Sequence, residues 1–237
     1  MKKTRSGVEF FGLLTGALLA VSVAGCGASC NAVEAIHSDP GVAVNVPHPA
    51  VAMDKALAEL EGIPVKGRAS AAGYSREEFG PAWADTDHNG CDTRNDILAR
   101  DLTNRTFKPG SHNCVVTTGT LADKYTGTTT RFVRGQNTSS AVQIDHIVPL
   151  GDAWQNGAQQ LTAELRRELA NDPLNLMATD GPTNTAKGEN DAATWLPPNQ
   201  AFRCEYVARQ IAVKAKYGLW VTQAEHDAII GILNDCE

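Results

Sequence analysis

The nonapeptide VQIDHIVPL (142–150) places an acid and an imidazole side by side inside an apolar run. Adjacent side chains on a strand point to opposite faces, so Asp145 and His146 cannot both sit in one apolar core without cost. An aspartate is rarely buried unless it is paired or metal-bound. An imidazole with an ordinary pKa near ~6.5 exchanges its proton close to neutral pH. The pair therefore suits a cation ligand beside a general base. Taken alone, it equally suits a turn acid and a satisfied core histidine.

Downstream residues decide between these readings. The stretch NDPLNLMATDGPTNTAKGEND (171–191) supplies Asn175, then Asn184 and Lys187 in an Asn-x-x-Lys arrangement. This ordered set resembles the HNH nucleases of the ββα-metal fold, in which a strand carries Asp-His, a connecting loop a central Asn, and a following helix a His or Asn. The run from GCDTRNDIL through IDHIVPL to WLPPN more closely resembles exported bacterial HNH proteins related to the nuclease part of GmrSD-type restriction enzymes. The likeness extends from about Tyr74 to Leu233. It implies a phosphodiesterase acting on DNA, with RNA left open as a second substrate. It also implies His146 as general base, Asp145 and Asn184 as metal ligands, and Asn175 as the brace of the loop presenting His146. Two protein oxygens plus water is a common way to hold Mg²⁺. With Asn in the last place instead of His, Zn²⁺ and Ni²⁺ are disfavoured, so Mg²⁺ or Mn²⁺ is the expected cofactor. Lys187 is either a phosphate contact or a solvated helix residue. Arg94 is placed by the resemblance to grip the scissile phosphate through its bidentate fork.

The segment Asp85-Thr-Asp87-His-Asn89-Gly90-Cys-Asp92-Thr-Arg94-Asn-Asp96 offers a different chemistry. Asp85, Asp87, Asn89, Gly90 and Asp96 reproduce much of an EF-hand calcium loop. Asp stands where Glu is usual at the last position, and Pro81 interrupts any incoming helix. A non-catalytic exported binding protein using this loop for Ca²⁺ is the alternative function. The four tryptophans are too scattered for a base-stacking platform and read as packing. His37, His48, His88, His112 and His226 form no constellation.

The elements that must position these residues follow from capping and periodicity. Asp92 or Thr93 caps a helix over Arg94–Leu102 with Ile97 and Leu98 inward. Val115–Leu121 and Thr128–Val133 alternate around Asp-Lys-Tyr-Thr-Gly, predicting a hairpin. Val142–Val148 is a further strand, ended by Pro149. Helices are expected over Asp152–Ala158, Thr162–Ala170, Asn199–Tyr217 and Thr222–Leu233. Thr222 and Glu225 there form a capping box. Strands followed by helices define an α+β domain. By the resemblance it is a ββα-metal core with an N-terminal strand/helix elaboration and C-terminal helices.

Length and composition bound the rest. At 237 residues the chain suffices for one well-cored domain and a tail. Lys2, Lys3 and Arg5 precede the apolar run Phe10–Ala24, which is short for a membrane span and reads as an export signal over residues 1–25. It ends in Val-Ala-Gly-Cys, which resembles a bacterial lipobox and implies lipidation of Cys26. Ordinary cleavage nearby is the alternative. Residues 26–70, rich in Ala, Val, Pro and Gly with one short amphipathic helix at Met53–Glu61, read as a flexible tether to a domain over 71–237. Export to an oxidising compartment makes Cys91, Cys114, Cys204 and Cys236 disulfide partners. Cys91–Cys114 and Cys204–Cys236 are the favoured pairs of the three pairings allowed, each joining neighbouring elements; Cys30 is left over. A formal charge of −6 argues against a nucleic-acid coat protein that binds by phosphate neutralisation, though not against an enzyme gripping substrate through a metal and local cations. No protein partner is implied, and the membrane is a partner only through a lipid at Cys26.

Overall fold

The computed structural model describes residues 53–236. The export signal, Cys26 and Cys30 lie outside the described residues. The described chain is α+β, as expected.

Helix α1 (Met53–Glu61) is followed by an extended strap and a 3₁₀ turn at Arg76–Phe79. Helix α2 (Thr93–Asp101) starts on Asp92, whose side chain accepts from the Asn95 N–H, and buries Ile97 and Leu98. It runs directly into β1 (Leu102–Phe107), which pairs antiparallel with β2 (Val116–Ala122), itself paired antiparallel with β3 (Thr129–Val133). The β2–β3 hairpin matches the sequence expectation. The polar edge strand β1 was not anticipated, because LTNRTF lacks a clear apolar alternation and only Leu102 is fully buried.

A second, two-stranded antiparallel sheet joins β4 (Val142–His146) to β5 (Leu176–Asp180), with Asp145 opposite Met177 and His146 opposite Leu176. Between them lie α3 (Leu150–Gln155) and α4 (Ala163–Asn171), the latter capped by Thr162. Helix α5 (Gly181–Lys187) follows β5 immediately, giving a strand–strand–helix unit. Gly181 is required there, since a Cβ would lie 2.0 Å from the Ser140 carbonyl oxygen. Its absence lets α5 close against the start of β4. Helices α6 (Arg203–Lys216) and α7 (Gln223–Asn234) complete the fold, with Thr222 capping α7.

The β4–β5 hairpin is wedged between cores. Val142, Ile144, Leu176 and Ala178 join the cluster under α2 and the three-stranded sheet. Met177 and Ile147 join the cluster of α1, α6 and α7, and Val148 the cluster around Trp154 and Leu169. A strand covered on both faces shows no period-two pattern, which is why β5 was missed in the sequence.

Residues 53–70, expected to be part of a flexible tether, are packed onto the domain. Ala56, Leu60 and Ile63 are buried against α6 and α7. The strap pairs Val65 with Val221, and the Trp220 indole N–H donates to the Gly67 carbonyl. Arg68 then enters a buried ion cluster, reaching Asp152 at 2.9 Å and Asp191 at 2.8 Å. Lys214 sits in the same cluster, against Glu225 at 2.5 Å and Asp152 at 3.3 Å. Apolar side chains of the short helix, which forms over Met53–Glu61 as expected, and the Arg68 charge beside buried acids hold the strap in place.

Both favoured disulfides form, with Cα–Cα distances of 5.1 Å for Cys91–Cys114 and 6.0 Å for Cys204–Cys236. No helix among the described residues is long and apolar enough to cross a membrane.

Candidate active site

Strand β4 turns Asp145 toward the α6–α7 core and His146 toward the opposite face. Each side chain is nearly enclosed, at 5% and 7% exposure. A carboxylate so placed needs donors, and Asp145 accepts three hydrogen bonds from two of them. Tyr125 Oη donates to Asp145 Oδ2 at 2.5 Å. Lys187 Nζ donates to Oδ1 at 3.0 Å and Oδ2 at 2.9 Å, and to the His146 carbonyl at 2.7 Å. Lys187 is fully buried, so it is neither a solvated helix residue nor placed at the surface to meet a phosphate. Its position one helical turn after Asn184 aims it at the charge on β4. Tyr125, on the β2–β3 turn, is fully buried; burial first, then the Asp145 charge, pushes its phenol well above the usual range, so it stays a donor.

His146 is fixed by the end of α4. Its Nε2 lies 2.9 Å from the Ala170 carbonyl oxygen, which can only accept, so Nε2 carries the proton. Nδ1 is left as a bare acceptor. Burial, reinforced by the Arg76 and Lys187 charges against the opposing pull of Ala170 and Asp145, brings the imidazole down to about 4. The ring is neutral at pH 7, the state a general base requires. The Trp83 indole stacks on it at 6.1 Å between centroids, 12° from parallel.

Asn175 stands immediately before β5 and is fully buried. Its Oδ1 accepts from the Val148 N–H at 2.8 Å, its Nδ2 donates to the Val148 and Leu169 carbonyls, and its own carbonyl accepts from the Ile147 N–H. These contacts clamp the two residues after His146, Ile147 and Val148, and Asn175 lines neither cavity described below.

Asn184, on α5, completes the group. Its Nδ2 donates to Gln143 Oε1 at 2.9 Å, which leaves Oδ1 without a partner among the described residues. A cavity of about 120 Å³ is lined by Asp145, His146, Asn184, Glu189 and Arg76 among others. A second cavity, about 220 Å³, lies on the other side of His146 and shares Arg76 with the first.

The donor set accommodates a hard divalent ion in one manner. Asp145 Oδ2 already accepts two hydrogen bonds and Oδ1 one, so a carboxylate with about four acceptor sites retains one on Oδ1. With Asn184 Oδ1, that makes two protein oxygens, compatible with Mg²⁺ or Mn²⁺ completed by water and substrate. No group of three or more His, Cys, Asp and Glu side chains suited to a metal occurs among the described residues.

Two expectations fall elsewhere. Arg94 lines neither cavity; its guanidinium faces the Val142 carbonyl at 3.5 Å, at the start of β4, and burial beside Arg134 lowers its pKa. The calcium loop is self-satisfied. Asp85 accepts from the Asn89 and Gly90 N–H groups, while Asp87 and Asp96 accept from the Asn89 amide. Burial, with Asp87 and Asp92 nearby, raises Asp96 to about 6.

The residue missed at sequence level is Arg76. It is exposed, touches both cavities, and has no hydrogen bond or ion pair among the described residues. It sits far upstream in YSREEF, where no local pattern announces it. Tyr125 and Glu189, which accepts from the Gly151 N–H at 2.7 Å, were missed for the same reason.

With this hairpin, helix and pocket in view, comparison with known proteins assigns the chain. Residues 92–232 match the family described as GmrSD restriction endonucleases, C-terminal domain, and the chain belongs to that family. It is 38% identical over 179 residues to an "Uncharacterized secreted protein" of the fungus Arthroderma benhamiae (strain ATCC MYA-4681 / CBS 112371), covering 75% of this chain and 82% of that relative. No solved structure matches.

Proposed function

We propose that the protein is an exported, divalent-ion-dependent HNH-type endonuclease hydrolysing phosphodiester bonds of DNA, with RNA as a second substrate to test. The observation that carries this reading is the meeting of Asp145, His146 and Asn184 around one cavity on a strand–strand–helix unit, in a chain of a restriction-endonuclease family.

In this mechanism Nδ1 of His146 takes the proton from the attacking water, while Nε2–H on Ala170 keeps the tautomer fixed. Arg76, unpaired at the rim, takes the scissile phosphate, the task first expected of Arg94. Asp145 Oδ1 and Asn184 Oδ1 would hold Mg²⁺ or Mn²⁺, which when bound supplies charge neutralisation on phosphate and leaving oxygens. Lys187 and Tyr125 keep the Asp145 carboxylate oriented. Asn175 holds the Ile147–Val148 backbone so that His146 does not drift. The products would be 5′-phosphate and 3′-hydroxyl ends.

Export is supported by the leader-like N-terminus, the secreted relative and the two disulfides. Attachment through a lipid on Cys26 is a further part of the proposal, tested by the mass of the mature N-terminus. The calcium-binding alternative is weakened by the internal hydrogen bonds of the 85–96 loop.

The test is plasmid and single-stranded DNA incubated with the mature protein in Mg²⁺ or Mn²⁺ and in EDTA, beside His146→Ala. Nicking that requires the ion and vanishes in the variant is expected. Absence of ion-dependent cutting, or cutting unaltered by the substitution, sinks the reading.

A further inference from the structure

The larger of the two cavities is built differently from the smaller. Its apolar walls are Phe79, Trp83 and Leu150 beside one face of His146, and its other polar side chains are Arg76, Glu77 and Asn171. At about 220 Å³ it falls below the ~300–1,000 Å³ of drug-sized sites and suits one flat ring. Asn171 is 2% exposed. Its Nδ2 donates to the Arg167 carbonyl at 2.8 Å, which fixes the amide orientation because that carbonyl can only accept. Its Oδ1 is buried with no partner among the described residues. A buried acceptor left unsatisfied in a native structure calls for an explanation, and Asn171 borders an aromatic slot.

Trp83 strengthens the case. It adopts φ = 60°, the left-handed region that bulky residues avoid. The strained turn is tied to α2 by the Thr93 hydroxyl, which donates to the Ala84 carbonyl. Backbone of this kind persists where surrounding structure enforces it, typically at ligand sites. The outcome is an indole held parallel to the imidazole. Arg76 borders both cavities, so a phosphate in the smaller one and a ring in the larger one would belong to one nucleotide.

We propose that this cavity receives one unpaired nucleobase bearing an exocyclic amine (adenine, cytosine or guanine) next to the scissile phosphate, so that the protein acts on single-stranded nucleic acid in preference to duplex. A base inside a duplex cannot enter a slot one ring wide without leaving the stack. The amine donates to Asn171 Oδ1, whereas the carbonyls flanking the thymine N3–H oppose it. The proposal rests on the nuclease reading for the cleavage step, not for base binding.

The experiment uses thymine-tract 20-mers carrying one central adenine, cytosine, guanine, thymine or abasic position, single-stranded and as duplexes. Cleavage with Mg²⁺ is read as kcat/KM by position, and binding in EDTA is read by tryptophan fluorescence. The wild-type protein should favour an amino base over the abasic position by about 5- to 150-fold, the range of one base–aromatic stack, and single strands over duplex. Asn171→Leu should bring the amino-base-to-thymine ratio close to one. Trp83→Ala, at a half-buried position, should collapse the base-to-abasic ratio and serves if the first variant does not fold. Equal handling of abasic and adenine positions by the wild type overturns the proposal, as does a ratio unmoved in a folded variant. If no strand is cut yet the same ratios appear in binding, the base slot stands and the nuclease reading falls.

Discussion

Replacing Lys187 by Met tests whether the carboxylate on β4 depends on its buried counter-charge. In the native protein Lys187 is fully buried and spends its ammonium on both Asp145 oxygens and the His146 carbonyl. Removing one partner of a buried pair typically destabilises by about 3–5 kcal/mol, because the other charge is left uncompensated. Tyr125 remains as a donor to Asp145 and offsets only part of this. Against total stabilities of about 5–15 kcal/mol, the loss is severe, and for a domain of this size it lowers Tm by roughly 6–20 °C. Asp145→Asn in the same background is the sharper probe. With no charge on either side, the double variant should recover much of the loss, since a neutral pair of similar shape is often tolerated. Urea unfolding with disulfides intact, at pH 7, measures all four corners of the cycle. A single variant within about 1 kcal/mol of wild type, below the buried-pair range, refutes the reasoning. So does a double variant no more stable than Lys187→Met.

Other substitutions probe the remaining supports. Asn175→Ala strips three hydrogen bonds from Val148 and Leu169 and should lower cleavage by about 100-fold through misplacement of His146, read as kcat/KM on folded protein. Glu225 is raised to about 7, by burial first, then by Asp152 against the opposing Lys214. The native state therefore holds a proton that the unfolded chain releases above its ordinary 4.5. Stability from this group is greatest below that value and declines as pH rises toward 7, with a slope approaching ~1.4 kcal/mol per pH unit. Glu225→Gln should flatten that decline in urea midpoints taken across the same interval, and an unchanged slope would count against it. Cys204→Ala with Cys236→Ala opens a loop of sequence separation 32 and should lower unfolding free energy by about 3–4 kcal/mol, measured by denaturant titration.

What the sequence made legible was local. Thr222 caps α7 as read, Asp92 of the pair Asp92 and Thr93 caps α2, the helix expected from Thr162 starts on that residue as its cap, and the β2–β3 hairpin follows its alternation. Asp145, His146 and Asn184 were named from the resemblance of an acid–imidazole pair and a downstream Asn to the HNH pattern, and these three line one cavity. Lys187 was misplaced because a lysine on a short polar helix looks solvated until the carboxylate beneath it is known. Arg76, Trp83 and Asn171 reach His146 from separate parts of the chain, and only the packing of α4 and the Arg76–Phe79 turn brings them there. Residues 53–70, apart from the helix at Met53–Glu61, read as a tether for a related reason. The strap's value lies in what Arg68 neutralises, and those acids are on α3 and near residue 191.

That strap separates the length that the family match covers from the length that the fold needs. The family match begins at Asp92, yet a polypeptide started there would lack the Arg68 cation that Asp191 and Asp152 share, leaving Asp152 with Lys214 alone. It would also lack the plug of Leu60 and Ile63 and the Arg76 and Trp83 that border His146. Grafted elsewhere from that boundary, the unit would arrive with its central helix pair open and half of its pocket walls missing. Swapping such modules between proteins therefore has to carry the upstream segment along, even though nothing in the family signature marks it.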